Sequence, residues 1–545
     1  MKPITLHTRW NLDNLYNQYS LNDFITHLAA LKSIIQDVEE QTTSLNLSEA
    51  IKQIEKAESF YYCLTAEDMD SSVLTTIQSL IYSLKSRLQI IISNQSKENK
   101  APEDELLNKL SSFTSETLKG YEDLYTQVRS NLKVKVDFGE GEKELTFNEA
   151  NHLALTHQSS LVRKRVFDAL NHTLKTQSNV FGSIYNQIVG RRIDLYKEKG
   201  QDFLEDSLIR NGLSSTALKS MWNEIDAEIP NLVKFLKGKA GHNKISWHEL
   251  MSSSQEVPYQ ISFSEAVDQL RKALEQVDTE MSNFVLMAVM NRWVDAEPSQ
   301  SKPSGGFCAP FIDAGESRIS LNYDSTIDSA RILAHELGHA WHFKQLDSSS
   351  SPHLLEDRFE MTVAETASIF FESAFIDYVI QDTKDNSLKK ALIGWKSERS
   401  FNYLMSIRGA FLFEQRFLEK RGDASLTSQQ IEELSLKAQE EVYGGSLNEY
   451  QPYVWIKYIQ FYRTEIPFYN YPYTFGFLLS IGLLELSKID KEQFPQKYKT
   501  FLSQTGIVPV ETLVKELFNI DLSQPKFWRQ AIQKILEDIK LYLKL

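Results

Sequence analysis

The chain has 545 residues, 42% hydrophobic and 24% charged, with 21 glycines and 14 prolines, the make-up of a large folded protein rather than a disordered or repetitive one. A formal charge of -14, with no basic run longer than Arg163-Lys164-Arg165, argues against nucleic acid as a partner. Two distant cysteines, Cys63 and Cys308, exclude a disulfide framework or thiolate metal site and suit a reducing cytoplasm, and no stretch approaches the ~20 apolar residues of a membrane helix.

Residues 20 to 130 space their apolar positions helically, as in Leu74, Ile77, Leu80, Ile81, Leu84 and Leu88, which predicts a set of packed helices. Leu132 to Phe138 alternates strictly, turns at Gly139 to Glu142 and resumes at Glu144 to Phe147, a hairpin pattern. Helical spacing returns over Asn148 to Gln187, over Ser214 to Leu236, and over Ser262 to Trp293, the last opened by the capping sequence Ser262-Phe-Ser-Glu265. The Pro- and Gly-containing stretch Glu297 to Gly306 breaks the helices, and Arg318 to Tyr323 alternates as a short strand. The expected fold is mainly α with a small β-sheet. No composition shift marks a linker, so a division into an N-terminal helical region, 1–185, with its hairpin near 132–147, and a catalytic region, 186–545, is a soft one.

After that strand, Asp324, Ser325 and Thr326 offer N-cap oxygens, and the polar tract Ser348 to Pro352 would end the helix that follows. The stretch Ala334-His-Glu-Leu-Gly-His-Ala-Trp-His342 therefore sits in mid-helix. His335 and His339, four apart, project from one face and can aim two imidazoles at one ion, with Glu336 between them as a water-activating base. His342 is a poor third ligand. Seven helical residues advance about 10.5 Å, whereas two ligands of one zinc stand no more than roughly 4 Å apart.

A catalytic zinc usually takes a third protein ligand and keeps a position for water. The next helical stretch, Phe359 to Glu372, supplies candidates: Glu365, lying among Ala, Val and Ile, and Glu360, with Glu372 on the Glu365 face. From the residues alone, the choice between Glu365 and Glu360 stays open. Between Tyr450 and Tyr473 the chain places seven of its 23 tyrosines. They can form either a Tyr-rich packing interface or a wall of phenol donors able to hold a peptide carbonyl and stabilise an oxyanion.

Taken together, Arg9-Trp-Asn-Leu-Asp-Asn-Leu-Tyr16, Asn291-Arg-Trp-Val-Asp295, Gly305-Gly-Phe-Cys308, LAHELGHAWH, AETASIFFE and Phe468-Tyr-Asn-Tyr-Pro-Tyr-Thr-Phe-Gly476 resemble the oligoendopeptidase F branch of the thimet-oligopeptidase-like zinc metallopeptidases. The resemblance implies a two-lobed helical fold around a deep channel, one zinc per chain on His335, His339 and Glu365, and Glu336 as general base. It further implies a cytoplasmic enzyme that cuts internal bonds of oligopeptides and excludes folded proteins. Tyr469 and Tyr473 would face the substrate, with Tyr462 a weaker third. Gly305, Gly306 and the strand Ser317 to Tyr323, read as an exposed edge, would line the channel and pair with the peptide backbone. One departure stands out: the chain reads Gln460-Phe-Tyr462 where relatives commonly read His-Phe-Tyr, so Gln460 would take the place of a transition-state donor. Two alternatives keep the zinc: an exopeptidase of the same fold, and a feebly active zinc-bound peptide-binding protein. The oligomeric state is not legible.

Overall fold

The computed structural model describes residues 6–15, 21–40, 44–95, 117–139, 141–240, 245–250, 257–303, 305–346, 359–422, 424–464 and 466–545. Its elements are overwhelmingly helical, as the apolar spacing predicts, with three small sheets among the described residues. No helix among those residues is long and apolar enough to cross a membrane.

Three helices, Leu21–Glu40, Ser44–Thr65 and Ser71–Gln95, close on one another around Phe24, Leu28, Ile54, Phe60 and Leu84, all at most 1% exposed. Their core is separate from the larger one that runs from Leu118 to Ile539. Two residues of a distant strand, Ala309 and Phe311, complete the smaller core. The segment around Trp10 straps the two parts together: Arg318, fully buried, donates to the Asn11 carbonyl at 2.8 Å, and the Trp10 indole donates to Glu67 at 2.9 Å. A division at residue 185 does not follow these cores, because Ser160–Lys199 is one continuous helix of 40 residues.

The hairpin forms as β1 (Lys133–Asp137) and β2 (Glu142–Thr146), antiparallel. Phe147 leaves the strand and starts the next helix, capped by Thr146 and Glu149. β3 (Ile245–Ser246) pairs with a late strand, β7 (Leu447–Glu449). The run expected over Ser262 to Trp293 is two helices, Phe263–Glu275 and Thr279–Met290, with Asp278 capping the second; the Ser262–Glu265 capping box is present. Between them and the motif lies a three-stranded sheet ordered β4 (Val294–Asp295), β6 (Glu316–Leu321), β5 (Gly306–Phe311). This order corrects the sequence reading. The strand expected at the edge, β6, is central because β4 pairs with it on one side and β5 on the other; β5 is the outer strand.

The centre of the molecule is a stack of three helices. Met361–Asp382 has an almost wholly buried surface because it lies between the motif helix Ile327–Gln345 and Tyr471–Ile489. Two glycines set the spacing: a Cβ on Gly338 would come within 2.7 Å of the Ala367 carbonyl, and one on Gly476 within 2.9 Å of the Glu365 Cβ. Some polar groups on the middle helix bond to its own backbone, as Thr366 Oγ1 does to the Thr362 carbonyl at 2.6 Å, and others reach neighbouring segments, as Thr362 Oγ1 does to the Asn211 carbonyl at 3.1 Å.

Candidate metal centre

Thr326 caps the motif helix, accepting from the Ser329 N–H, so the helix starts where the N-cap residues predict; its expected terminator, Ser348 to Pro352, lies outside the described residues. One ligand atom each from His335, His339 and Glu365 lie within 4.8 Å of one another. The His335 Nε2 to Glu365 Oε2 distance is 3.8 Å. Ligands about 2.1 Å from a tetrahedral ion stand about 3.4 Å apart, so two imidazoles and one carboxylate at this spacing need close only slightly to hold a divalent ion. The side chains of His335 and Glu365 keep 19% and 11% of their surface accessible, enough for solvent to reach them.

The electrostatics follow from burial and from the nearest charges. Burial drives His339 well below the ordinary imidazole range, helped by His335 and His342, leaving it neutral as a ligand must be. Burial pushes the Glu365 carboxyl up against the pull of His335. Glu336 stands beside this cluster. Burial, partly offset by His335 and reinforced by Glu365, pushes it up to about 7, where a carboxyl can both take and return a proton. Against it lies the outer strand: a Cβ on Gly306 would sit 3.0 Å from Glu336 Cγ and 3.1 Å from its Oε1, so only glycine lets β5 approach this closely. Gly305, at φ +89°, makes the turn into that strand.

The remaining sequence candidates separate cleanly. His342 is fully buried and points away, its Nε2 2.8 Å from Thr505 Oγ1, which itself donates to the Leu502 carbonyl; the imidazole therefore donates to Thr505. Burial holds it down at about 3, which makes it a neutral packing residue. Glu360 is the N-cap residue of the middle helix, packed on Gly212 and Val510 and pushed up to about 8 by burial, outside the donor set. Tyr469 and Tyr473 come together, hydroxyl to hydroxyl 3.4 Å apart, both half-buried. Burial, then the Glu365 charge, raises the Tyr473 phenol. Tyr462 does not join them: it is fully buried and stacked on Tyr125 at 3.7 Å between ring centroids, beside Tyr185 and Phe181. Its substrate-binding assignment gives way to a packing role. Gln460 is half-buried in the 3-10 turn Ile459–Tyr462, and no hydrogen bond joins it to the histidine cluster among the described residues.

The structure adds three residues to which the sequence assigned no role. Glu372 lies 3.2 Å from His335 Nδ1, while the other ring nitrogen of His335 faces Glu365. Its two oxygens also accept from Arg331 and Arg399, each at 3.0 Å. Burial opposes ionisation, but Arg399 and Arg331 overcome it and hold the carboxyl well below the usual range. An ionised carboxylate on Nδ1–H fixes the tautomer and ring orientation of the ligand. The 3.6-residue period puts Glu365 and Glu372 on one face, yet the arginines that turn Glu372 inward come from elsewhere in the chain. We expect Glu372→Gln to weaken metal binding about 10- to 100-fold, measured by competition with a chromogenic chelator, with little change in the circular dichroism spectrum.

Comparison with known proteins places this geometry. The family model described as Peptidase family M3 matches residues 254–534, more than half of the chain and all of the site. The chain belongs to peptidase family M3. Among curated proteins it is 22% identical over 406 residues to an oligoendopeptidase F homolog of Lactococcus lactis, a match covering 71% of this chain and 65% of that one. The chain thus spans slightly less than two thirds of that relative's length. The same fold is seen in a crystal structure from Chlamydophila abortus, with a TM-score of 0.77 at 16% identity over 99% of both chains. It is seen again in oligoendopeptidase-F from Enterococcus faecium, with a TM-score of 0.66 at 14% identity over 96% of this chain and 99% of that one.

Proposed function

We propose that the chain is a zinc-dependent endopeptidase that hydrolyses internal bonds of oligopeptides. One observation carries the reading: His335, His339 and Glu365 form a compact donor set, while Glu336, on the same helix, stays outside it and faces the outer strand. Two imidazoles and a carboxylate suit zinc, which when bound would polarise a carbonyl and acidify water. The chain's own groups supply the rest. Glu336 takes a proton from the attacking water and returns it to the leaving amine. Glu372, held by Arg331 and Arg399, keeps the His335 ring in place. The Tyr469 and Tyr473 hydroxyls donate to the oxyanion as charge develops on it.

The outer side of β5 supports binding of an extended peptide, since an edge strand offers unpaired backbone donors and acceptors. Gly306 lets such a peptide approach Glu336 without a side chain in the way. The two free thiols, Cys63 and Cys308, support a reducing, cytoplasmic setting. The test is mass-spectrometric mapping of products from peptides blocked at both termini. Internal cuts are expected; cleavage restricted to peptides with a free terminus would show an exopeptidase instead.

A further inference from the structure

Phe468, immediately before Tyr469, has φ +53°, a left-handed conformation disfavoured for any residue with a Cβ. Two things hold it there. Its ring is buried between Phe411 and Phe203, with centroids 5.3 and 6.2 Å away. Its backbone N–H donates to Glu414 Oε1 at 3.0 Å.

Glu414 comes from the helix Ile407–Arg421 and is 6% exposed. The cation beside it, Arg192 of Ser160–Lys199, is 3.9 Å away, long for an ion pair, and its guanidinium donates instead to the Arg463 carbonyl. Each member of this buried pair thus bonds to the backbone of the segment that leads into Tyr469. Burial pushes the Glu414 carboxyl up to about 7 against the pull of Arg192, and apolar residues of like volume often serve stability as well as such a buried pair or better.

We propose that Glu414 is a positioning residue for Tyr469: its carboxylate pins Phe468 in the left-handed turn that brings the Tyr469 hydroxyl onto Tyr473. The inference rests on the reading that these two tyrosines serve the oxyanion. Steric strain at Phe468 is then part of the machinery. Without the carboxylate the turn relaxes, and the phenol moves off its target.

A double-mutant cycle tests it, with kcat and KM measured on a quenched fluorescent peptide and zinc content and Tm followed throughout. Tyr469→Phe is expected to lower kcat about 10²-fold. Glu414→Leu should lower kcat comparably, with KM little changed and full zinc, whereas Glu414→Gln, which keeps an acceptor for the Phe468 N–H, should recover most of the rate. In the Tyr469→Phe background, Glu414→Leu should cost less than about twofold, because a residue acting through a lost hydroxyl has nothing left to position. Should Glu414→Leu not accumulate as folded protein, Glu414→Asp, which withdraws the oxygen by one methylene, carries the same cycle. A loss at Glu414 that is equal with and without the Tyr469 hydroxyl overturns the inference alone. Full activity in Tyr469→Phe overturns the tyrosine assignment and the inference with it.

Discussion

Glu336→Gln should leave one zinc bound per chain and lower turnover by about 10³-fold or more, in line with the 10²- to 10⁴-fold supplied by positioned general bases. The zinc half of this expectation follows from geometry, since the donor set is complete without Glu336. The turnover half follows from chemistry. Glutamine has the same shape and fits the same space against Gly306, but it cannot take and return a proton. The carboxyl it replaces is held near 7 by burial, reinforced by Glu365 and offset by His335, which matches its protonated and ionised forms to a two-way transfer at neutral pH. Metal analysis and peptide turnover on one preparation check both halves.

Glu365→Gln should lose the metal and with it the activity, while Glu360→Gln keeps both. Removing Glu365 leaves two imidazoles and no anionic donor, and an amide oxygen is a weak replacement for a carboxylate at a zinc site. It also strips a compensating charge from a buried cluster. Glu360, by contrast, is packed at the helix start on Gly212 and Val510, outside the donor set. Zinc content after dialysis against a weak chelator separates the two variants. Loss of zinc from Glu360→Gln with retention in Glu365→Gln would reverse the ligand assignment.

Much of the site is legible in the chain because its key parts are local. The four-residue spacing of His335 and His339 is a property of one helix, and so is the placing of Glu336 between them. Helical and hairpin elements are likewise visible, since apolar periodicity reports the face each segment buries. Glu365 is a harder case: spacing alone leaves Glu360 in play, the resemblance to a known family favours Glu365, and it is Glu365 that lies with the two histidines. What the sequence conceals is tertiary. Arg399 reaches Glu372 from another helix, and nothing in the pattern of Glu372 tells a solvated carboxylate from one that orients a ligand. Tyr462 and Tyr473 are the same residue type in one aromatic stretch, yet one stacks in the core and the other meets Tyr469 hydroxyl to hydroxyl. Strand order hid for a similar reason. The two-residue strand Val294–Asp295 is too short to alternate visibly, but by pairing with β6 it makes β5, not β6, the open edge. The helix that continues through residue 185 shows why a boundary drawn without a composition shift has no physical anchor.

On the proposed function, a metal held by His335, His339 and Glu365 serves peptide-bond hydrolysis. The most direct measurement takes one purified preparation, strips it with a chelator, restores zinc in steps and maps cuts in a mixed library of doubly blocked peptides at each step. Internal cuts should appear in proportion to zinc bound and saturate at one ion per chain. Internal cuts at full rate in the stripped protein, or none at full zinc occupancy, would contradict it.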